Sequence, residues 1–395
     1  MQKVLLIGSS YSTVPILSCL KKKGLHVTVC GSIESDPAHY YADKSLHIDY
    51  GEYELLKSRV TQESFNYIIP SCNDISYLAC SKLAAEFGYS GFDSPDTVKV
   101  IHDKAAYRNF TRQHDLPAPK AIVIRPQSHL KNIDLSFPVL VKPSDAFSGR
   151  GMKLVDEKGN LAAALEHAFR ESKSKVVLIE EFKAGTLHSH SAFIKRQSIL
   201  SDFFVDEYCS VYPFQVDCSN HPSRLSDSIK NIVRKSINKI AKILAIQDGL
   251  LHTQFLADGD SVWLIESMRR CPGDLYHKLV EISTGFPYIE SYVDHFIGKS
   301  ELPTRDFCTQ KPVARHTISQ PSDVSFLSLS ETIPATKVHI VPLATSGQNV
   351  RSAPFGKIAI LFAEFKDDNS MWTVTQNMAK FIQLETLEQQ CNSHV

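Results

Sequence analysis

Residues 250–267 read LLHTQFLADGDSVWLIES, and no other stretch leaves the chain fewer ways to fold. Two alternating apolar runs flank Asp258-Gly259-Asp260, and a short turn centred on glycine joins neighbouring strands as an antiparallel hairpin. The hairpin makes Gln254 and Glu266 candidates for cross-strand neighbours facing one ligand. Two oxygen-bearing side chains side by side suit a hard cation such as Mg²⁺, which takes one or two carboxylates and completes its shell with phosphate and water.

The segments before the hairpin define the rest of the frame. Short apolar strands at 3–7, 26–30 and 65–70 alternate with a helix at 12–23, the pattern of a parallel sheet covered by helices. After the first strand, GSSYSTVP carries only Gly8, whereas a dinucleotide fold needs G-x-G-x-x-G there; NAD binding is not expected. Near residue 94 the sequence restarts. Ser94 caps a helix opened by Pro95, and Asp103 caps a second helix running to about His114.

Strands are then expected at 121–124, 137–142, 152–155, 176–181 and 190–194. A helix at 224–246 carries a core-facing apolar stripe of Ile229, Ile232, Val233, Ile237, Ile240, Ala241 and Leu244. Short strands and a final helix follow from about 300. These breaks give domains at 1–94, 95–300 and 301–395.

Composition narrows the class of partner. Lys plus Arg and Asp plus Glu are both 43 in 395 residues, so no global basic excess points to nucleic acid or an anionic membrane, and charge recognition is local. No apolar segment approaches the roughly 18 residues of a membrane span, and the N-terminal apolar run is too short for a signal peptide, so a cytoplasmic protein is expected. Nine scattered cysteines form no Cys-x-x-Cys pair and suggest neither a disulfide framework nor zinc.

Three further stretches carry chemistry. In FPVLVKPSDAFSGRGMKLV a strand ends at Lys142 and a loop carries Ser148, Gly149, Arg150 and Gly151. Glycines let backbone N–H groups close around phosphate oxygens, and a lysine at the strand end adds its charge to the same anion; a plain hairpin loop has the same composition. VVLIEEFKAGTLHSH ends an apolar strand in Glu180 and Glu181, which suits an amino group of a base as well as solvent. IESMRRCPGDLY places Glu266 beside Arg269 and Arg270, which hold planar oxyanions. Adjacent strand residues point to opposite faces, and Arg270 is the one expected inward.

In this order and spacing the segments resemble the ATP-grasp superfamily over nearly the whole chain, including biotin carboxylase, the D-alanine ligases and purine-pathway members. DKAAYRNFTRQHDLPAPKAIVI, FPVLVKPSDAFSGRGM, VVLIEEF and LLHTQF…WLIESMRR are similar to its successive motifs, and ESDPAHYYADKSLHIDYGE resembles purine-pathway carboxylases as well as amino-acid ligases. The resemblance implies an α/β fold: an N-terminal Rossmann-like parallel-sheet domain, central ATP-grasp subdomains, and a small α+β C-terminal lobe.

It also implies ATP and Mg²⁺ (or Mn²⁺), with small-molecule carboxylate and amine substrates and, as is common among such enzymes, a homodimer. Lys104 and Lys142 contact the phosphates, and the loop Ser148–Gly151 closes over them. Glu180 accepts from the adenine amino group, Glu181 and Phe182 offer backbone contacts, and His188 lies near the ribose. Arg270 and Lys142 stabilise the charge of the transferred phosphoryl.

The hairpin departs from the family's Glu, then Glu-x-Asn with Arg two residues on. It reads Gln254, Glu266, Met268 and Arg270. A thioether is a poor Mg²⁺ ligand, so the expected metal ligands are Glu266, Gln254 and Asp274. The implied activity is a carboxylate–amine ligase working through an acyl phosphate. A bicarbonate-using carboxylase and a nucleotide-binding protein with weakened turnover remain open.

Overall fold

The computed structural model describes residues 1–127, 135–146, 149–299, 307 and 310–387. They fall into two compact units, the first comprising 1–204, 225–273 and 287–305 and the second 205–224, 274–286 and 306–395.

The first unit opens with β1 (Lys3–Ile7), β2 (His26–Cys30), β3 (Lys44–Leu46) and β4 (Tyr67–Pro70). They form a parallel sheet in the order β3-β2-β1-β4. Helices α1 (Val14–Lys22), α2 (Pro37–Tyr41), α3 (Tyr53–Gln62) and α4 (Asp74–Phe87) are interleaved with its strands. The sheet is buried because its strands are almost wholly apolar, with Leu5 and Ile7 packed on Ile68, Leu56 and Leu83.

The restart near residue 94 becomes α5 (Pro95–His102) and α6 (Lys104–Gln113). Ser94 accepts from the Thr97 N–H and Asp103 from the Ala106 N–H, so each helix begins where its cap stands. Next come β5 (Ala121–Ile124), β6 (Val139–Pro143), β7 (Lys153–Val155), α7 (Leu161–Glu171) and β8 (Val177–Glu181). These strands make an antiparallel sheet in the order β5-β8-β6-β7, with α7 on one face.

Strands β9 (Thr186–Lys195) and β10 (Ser198–Tyr208), helix α8 (Asp227–Ile243), the hairpin strands β12 (Gly249–Asp258) and β13 (Ser261–Met268), and α10 (Tyr288–Phe296) complete this unit. Its strand order is β13-β12-β9-β10. The stripe Ile229, Val233, Ile237 and Ile240 of α8 packs on Leu251, Phe255, Val262 and Leu264 of the hairpin, as its 3.6-residue period requires.

The second unit has β11 (Cys218–His221), α9 (Tyr276–Thr284), β14 (Val313–Ile318), β15 (Val324–Glu331), β16 (Lys337–Pro342), β17 (Asn349–Val350), β18 (Ala359–Glu364), α11 (Asp368–Thr375) and β19 (Ile382–Thr386). The order β11-β14-β18-β16 gives one antiparallel sheet, and β17-β15-β19 gives a second. Ile318, Phe326, Leu361, Phe365 and Met371 form its core. The mixed architecture is the expected α/β class. Among the described residues no helix is long and apolar enough to cross a membrane.

Candidate active site

The hairpin register places Gln254 opposite Glu266 and His252 opposite Met268. Phe255, however, pairs with Leu264, which leaves Ile265 as an extra residue in β13. A bulge of this kind reverses the alternation. Leu264 therefore lies in the core against α8, while Glu266, two residues on, shares the opposite face with Gln254 and Met268. Without the bulge the carboxylate and the core leucine would point the same way.

Helix α6 brings three side chains to this region from one stripe, because residues three and four apart share a face. The Lys104 ammonium donates to the Ala146 carbonyl at 3.0 Å and stands 3.6 Å from the Glu266 carboxylate. The Tyr107 hydroxyl lies 2.9 Å from the Ser267 hydroxyl. Arg108 reaches Glu180 of β8 through Nε at 2.6 Å. The other Glu180 oxygen accepts from the Lys142 ammonium at 2.9 Å.

Glu180 and Lys142 are almost fully buried, with side chains 3 % exposed. Burial alone raises a carboxyl, but Arg108 and Lys142 outweigh it and hold Glu180 down at about 2. Lys142 is shifted downward: burial disfavours its charge, and Arg108 shares the one carboxylate that supports it. The cluster holds two cations against one anion, an excess of positive charge in a low-dielectric setting that an oxyanion relieves.

In the loop that follows β6 the glycines are needed for backbone freedom. Gly149 and Gly151 have φ of 72° and 71°, and a Cβ at Gly151 would fall 2.7 Å from the Pro143 ring and 2.8 Å from Glu171. Arg150 between them is exposed. Ser148 lies outside the described residues.

The structure gives the residues expected around the base the following partners. Both oxygens of Glu180, the residue expected to accept from an adenine amino group, are engaged by Arg108 and Lys142. The Glu181 N–H donates to the Lys120 carbonyl at 2.9 Å and the Phe182 N–H to the Pro138 carbonyl at 3.3 Å, so these donors already serve the sheet. His188 pairs with Phe255 and Ser189 with Gln254, which turns His188 to the face away from Gln254 and Glu266. Its ring stacks on Phe255 at 5.5 Å and meets the Thr186 hydroxyl at 2.7 Å. Register, hidden in the sequence, sets the face on which His188 lies.

The two arginines divide the work opposite to a simple inward–outward choice. Arg269 is fully enclosed: Nε donates to Asp93 at 2.6 Å, and its other nitrogens donate to the carbonyls of Leu250, Gln247 and Asp248. Arg270, its side chain 15 % exposed, donates through Nη2 to Asp74 at 2.8 Å. Asp74 opens α4, and its other oxygen lies 3.1 Å from His102 Nδ1. Burial raises the Asp74 carboxyl, but Arg270 and then His102 drive it well below the usual carboxylate range.

Asp274 belongs to the second unit, where its carboxylate meets the Lys357 ammonium and the Thr317 hydroxyl, and its carbonyl accepts from Arg315. A carboxylate paired in this way is a weakened ligand for a cation. Near Met268, His252 lies 2.8 Å from the Ser191 hydroxyl, and burial, then Arg270, pushes it well below its ordinary value, so it is neutral. Arg108 and Asp74 were not singled out from the sequence; only the four-residue step from Lys104 hinted at the first.

Glu266 and the Gln254 carbonyl are one charged and one neutral oxygen donor, with Lys104 at 3.6 Å. That set fits one hard cation shared with substrate phosphates, and it is short of the charge for two.

Comparison with known proteins places this geometry. Residues 103–293 match the model described as carbamoyl-phosphate synthase L chain, ATP binding domain. A formate-dependent phosphoribosylglycinamide formyltransferase of Prochlorococcus marinus subsp. pastoris is 26% identical over 361 residues, covering 88% of this chain and 91% of that protein. Among solved structures, an L-amino acid ligase from Bacillus licheniformis superposes with a TM-score of 0.79 at 15% identity, over 98% of this chain and 99% of the other. Phosphoribosylglycinamide synthetase from Anaerococcus prevotii superposes at 0.76 with 14% identity, over 97% and 99%; both likenesses show the shared fold. The sequence match runs through α6, the glycine loop, β8 and the hairpin, so residues 103–293 are similar to an ATP binding domain of the ATP-grasp kind, and over most of its length the chain is similar to named enzymes.

Proposed function

We propose that the chain uses ATP to phosphorylate a small-molecule carboxylate and joins the resulting acyl phosphate to an amine. The observation that carries this is the buried Arg108–Glu180–Lys142 cluster, with its excess positive charge, at the end of the strand leading into the glycine loop. A carboxylate oxygen attacks the γ-phosphorus and ADP leaves. The amine nitrogen then attacks the acyl carbon, phosphate departs and the amine loses a proton.

Lys142, Lys104 and Arg270 are the residues assigned to the phosphoryl and acyl-phosphate oxygens, where fixed charges lower the barrier by meeting negative charge as it spreads. Gly149, Arg150 and Gly151, with Ser148, are assigned to the loop over the phosphates. Glu180, Glu181 and Phe182 border the base. Glu266 and Gln254 would hold Mg²⁺ or Mn²⁺, which supplies charge neutralisation on the phosphates. As Lys142 moves toward nucleotide, Glu180 keeps Arg108 as its partner.

Formate is the first acid to test, because the relative matching over 88% of this chain is named as formate-dependent. The test is ADP release over formate, bicarbonate, hydroxy acids and amino acids, each with a mixed amine pool, alongside calorimetric titration with ATP. Release that requires an organic acid and an amine supports the ligase. Release with bicarbonate alone supports a carboxylase. Gln254 and Met268 favour a second reading, nucleotide binding with weakened turnover, and ATP binding without release under any pairing would establish it.

A further inference from the structure

The two residues that follow β13 are held in a chain of buried polar contacts that begins at Arg269. Its backbone N–H donates to His102 Nε2 at 3.4 Å. That contact places Nε2 as an acceptor and leaves Nδ1, 3.1 Å from Asp74 Oδ1, as the nitrogen facing the carboxylate. The His102 ring is stacked on Tyr77 at 4.7 Å and 17°, so it has one orientation. Asn73 caps α4 by accepting from the Ser76 N–H, which fixes the backbone from which Asp74 projects.

Asp74 passes this rigidity to Arg270 through a single contact, Oδ2 to Nη2 at 2.8 Å. An arginine and a carboxylate commonly pair through two nitrogens. Among the described residues Arg270 Nε is buried with no hydrogen-bond partner, and Nη1 makes a 3.4 Å contact with the adjacent Cys271 carbonyl. A buried donor left unmet is unfavourable and is rare in a finished fold. An oxyanion arriving at the site would satisfy it.

We propose that Asp74 is a positioning residue: it holds the Arg270 guanidinium by one nitrogen so that Nε–H is presented to an oxygen of the carboxylate substrate or its acyl phosphate. This rests on the ligase reading, and it adds a residue from the N-terminal parallel-sheet segment to the reaction through Arg270. His102 supports Asp74 in turn. Asp74 itself need not touch substrate.

The test is a double-mutant cycle on the full chain, using the acid and amine that give ADP release in the panel above. Asp74→Asn is expected to lower kcat about ten- to hundredfold, the scale of a misplaced reacting group, with KM for ATP unchanged and Asp74→Glu restoring part of the loss. In an Arg270→Ala background the same Asp74→Asn change is expected to cost less than about twofold, because residues acting as one unit are not additive. Binding of a non-hydrolysable ATP analogue reports folding; should Asp74→Asn not fold, His102→Gln takes its place and is expected to show a smaller loss that also vanishes without Arg270. Wild-type kcat in Asp74→Asn, or losses that multiply in the double variant, overturns the proposal while leaving the ligase intact. Absence of ADP release by the wild type overturns the ligase reading and this proposal with it.

Discussion

Gln254 stands directly across the hairpin from Glu266, an amide facing the carboxylate with which it would share a cation. With a non-hydrolysable ATP analogue, the chain is expected to take up one Mn²⁺, read by electron paramagnetic resonance titration. Glu266→Gln should abolish that uptake, and Gln254→Glu should tighten it at least about tenfold, since a second unit charge about 4 Å from the ion is worth more than 1.4 kcal/mol even in a high-dielectric setting. Unchanged uptake in Glu266→Gln would remove the hairpin from the metal assignment.

Glu180 predicts an acid limb of stability. Its pKa is held at about 2 against the usual 4.5. A depressed carboxyl contributes stability that is fully present above the unfolded value and lost as pH falls through the folded one, so the window runs from about 4.5 to about 2. The loss there should be about 3 kcal/mol, measured by urea unfolding at stepped pH. Glu180→Gln should flatten that limb and cost about 3–5 kcal/mol at neutral pH, because Arg108 and Lys142 would remain buried without a counter-charge. Lys142 has the same sense in a different window: shifted down from 10.5, it sheds its proton earlier in the folded state, so stability again rises with pH, here as pH climbs toward 10.5.

Adjacent arginines should separate stability from turnover. Arg269→Ala strands Asp93 in the interior and is expected to cost about 3–5 kcal/mol, seen as a lower Tm. Arg270→Ala leaves Asp74 still bonded to His102 and should cost far less stability while lowering kcat about a hundredfold or more. Equal Tm losses in the two variants would contradict this division.

His188→Ala should leave ATP affinity within about twofold of wild type, because its ring lies against Phe255 on the α8 face. Calorimetric titration checks it. A tenfold loss would mean that the register places the ring on the wrong side.

Much of the frame was readable because its signals are local. Ser94 and Asp103 cap helices where they stand, the Asp-Gly-Asp turn closes the hairpin, and the apolar strands at 3–7, 26–30 and 121–124 begin and end as their composition indicates. What escaped depends on partners distant in sequence. Arg108 is one more arginine on a helix until β8 brings Glu180 to it. Which of Arg269 and Arg270 is enclosed depends on Asp93 and Asp74, some two hundred residues earlier. The extra residue Ile265 shows no mark in an alternating run, yet it sets the face of Glu266. Strands β10 and β11 were not expected, since polar and charged residues such as Asp206, Ser219 and Asn220 interrupt their apolar pattern while sitting buried in the structure.

The carboxylate of Glu180 also bears on how a catalytic cycle ends. A lysine that binds phosphate in a dry site faces a difficulty when the nucleotide departs, because its charge has neither water nor ligand to stabilise it. If Lys142 is such a lysine, as proposed, its partner Glu180 stands 2.9 Å away and would take over the ammonium instead of leaving it bared. Within the proposed activity, that exchange lowers the barrier to losing ADP, a step that often sets the pace of enzymes with closing loops, and returns the pocket to the same arrangement before each new ATP.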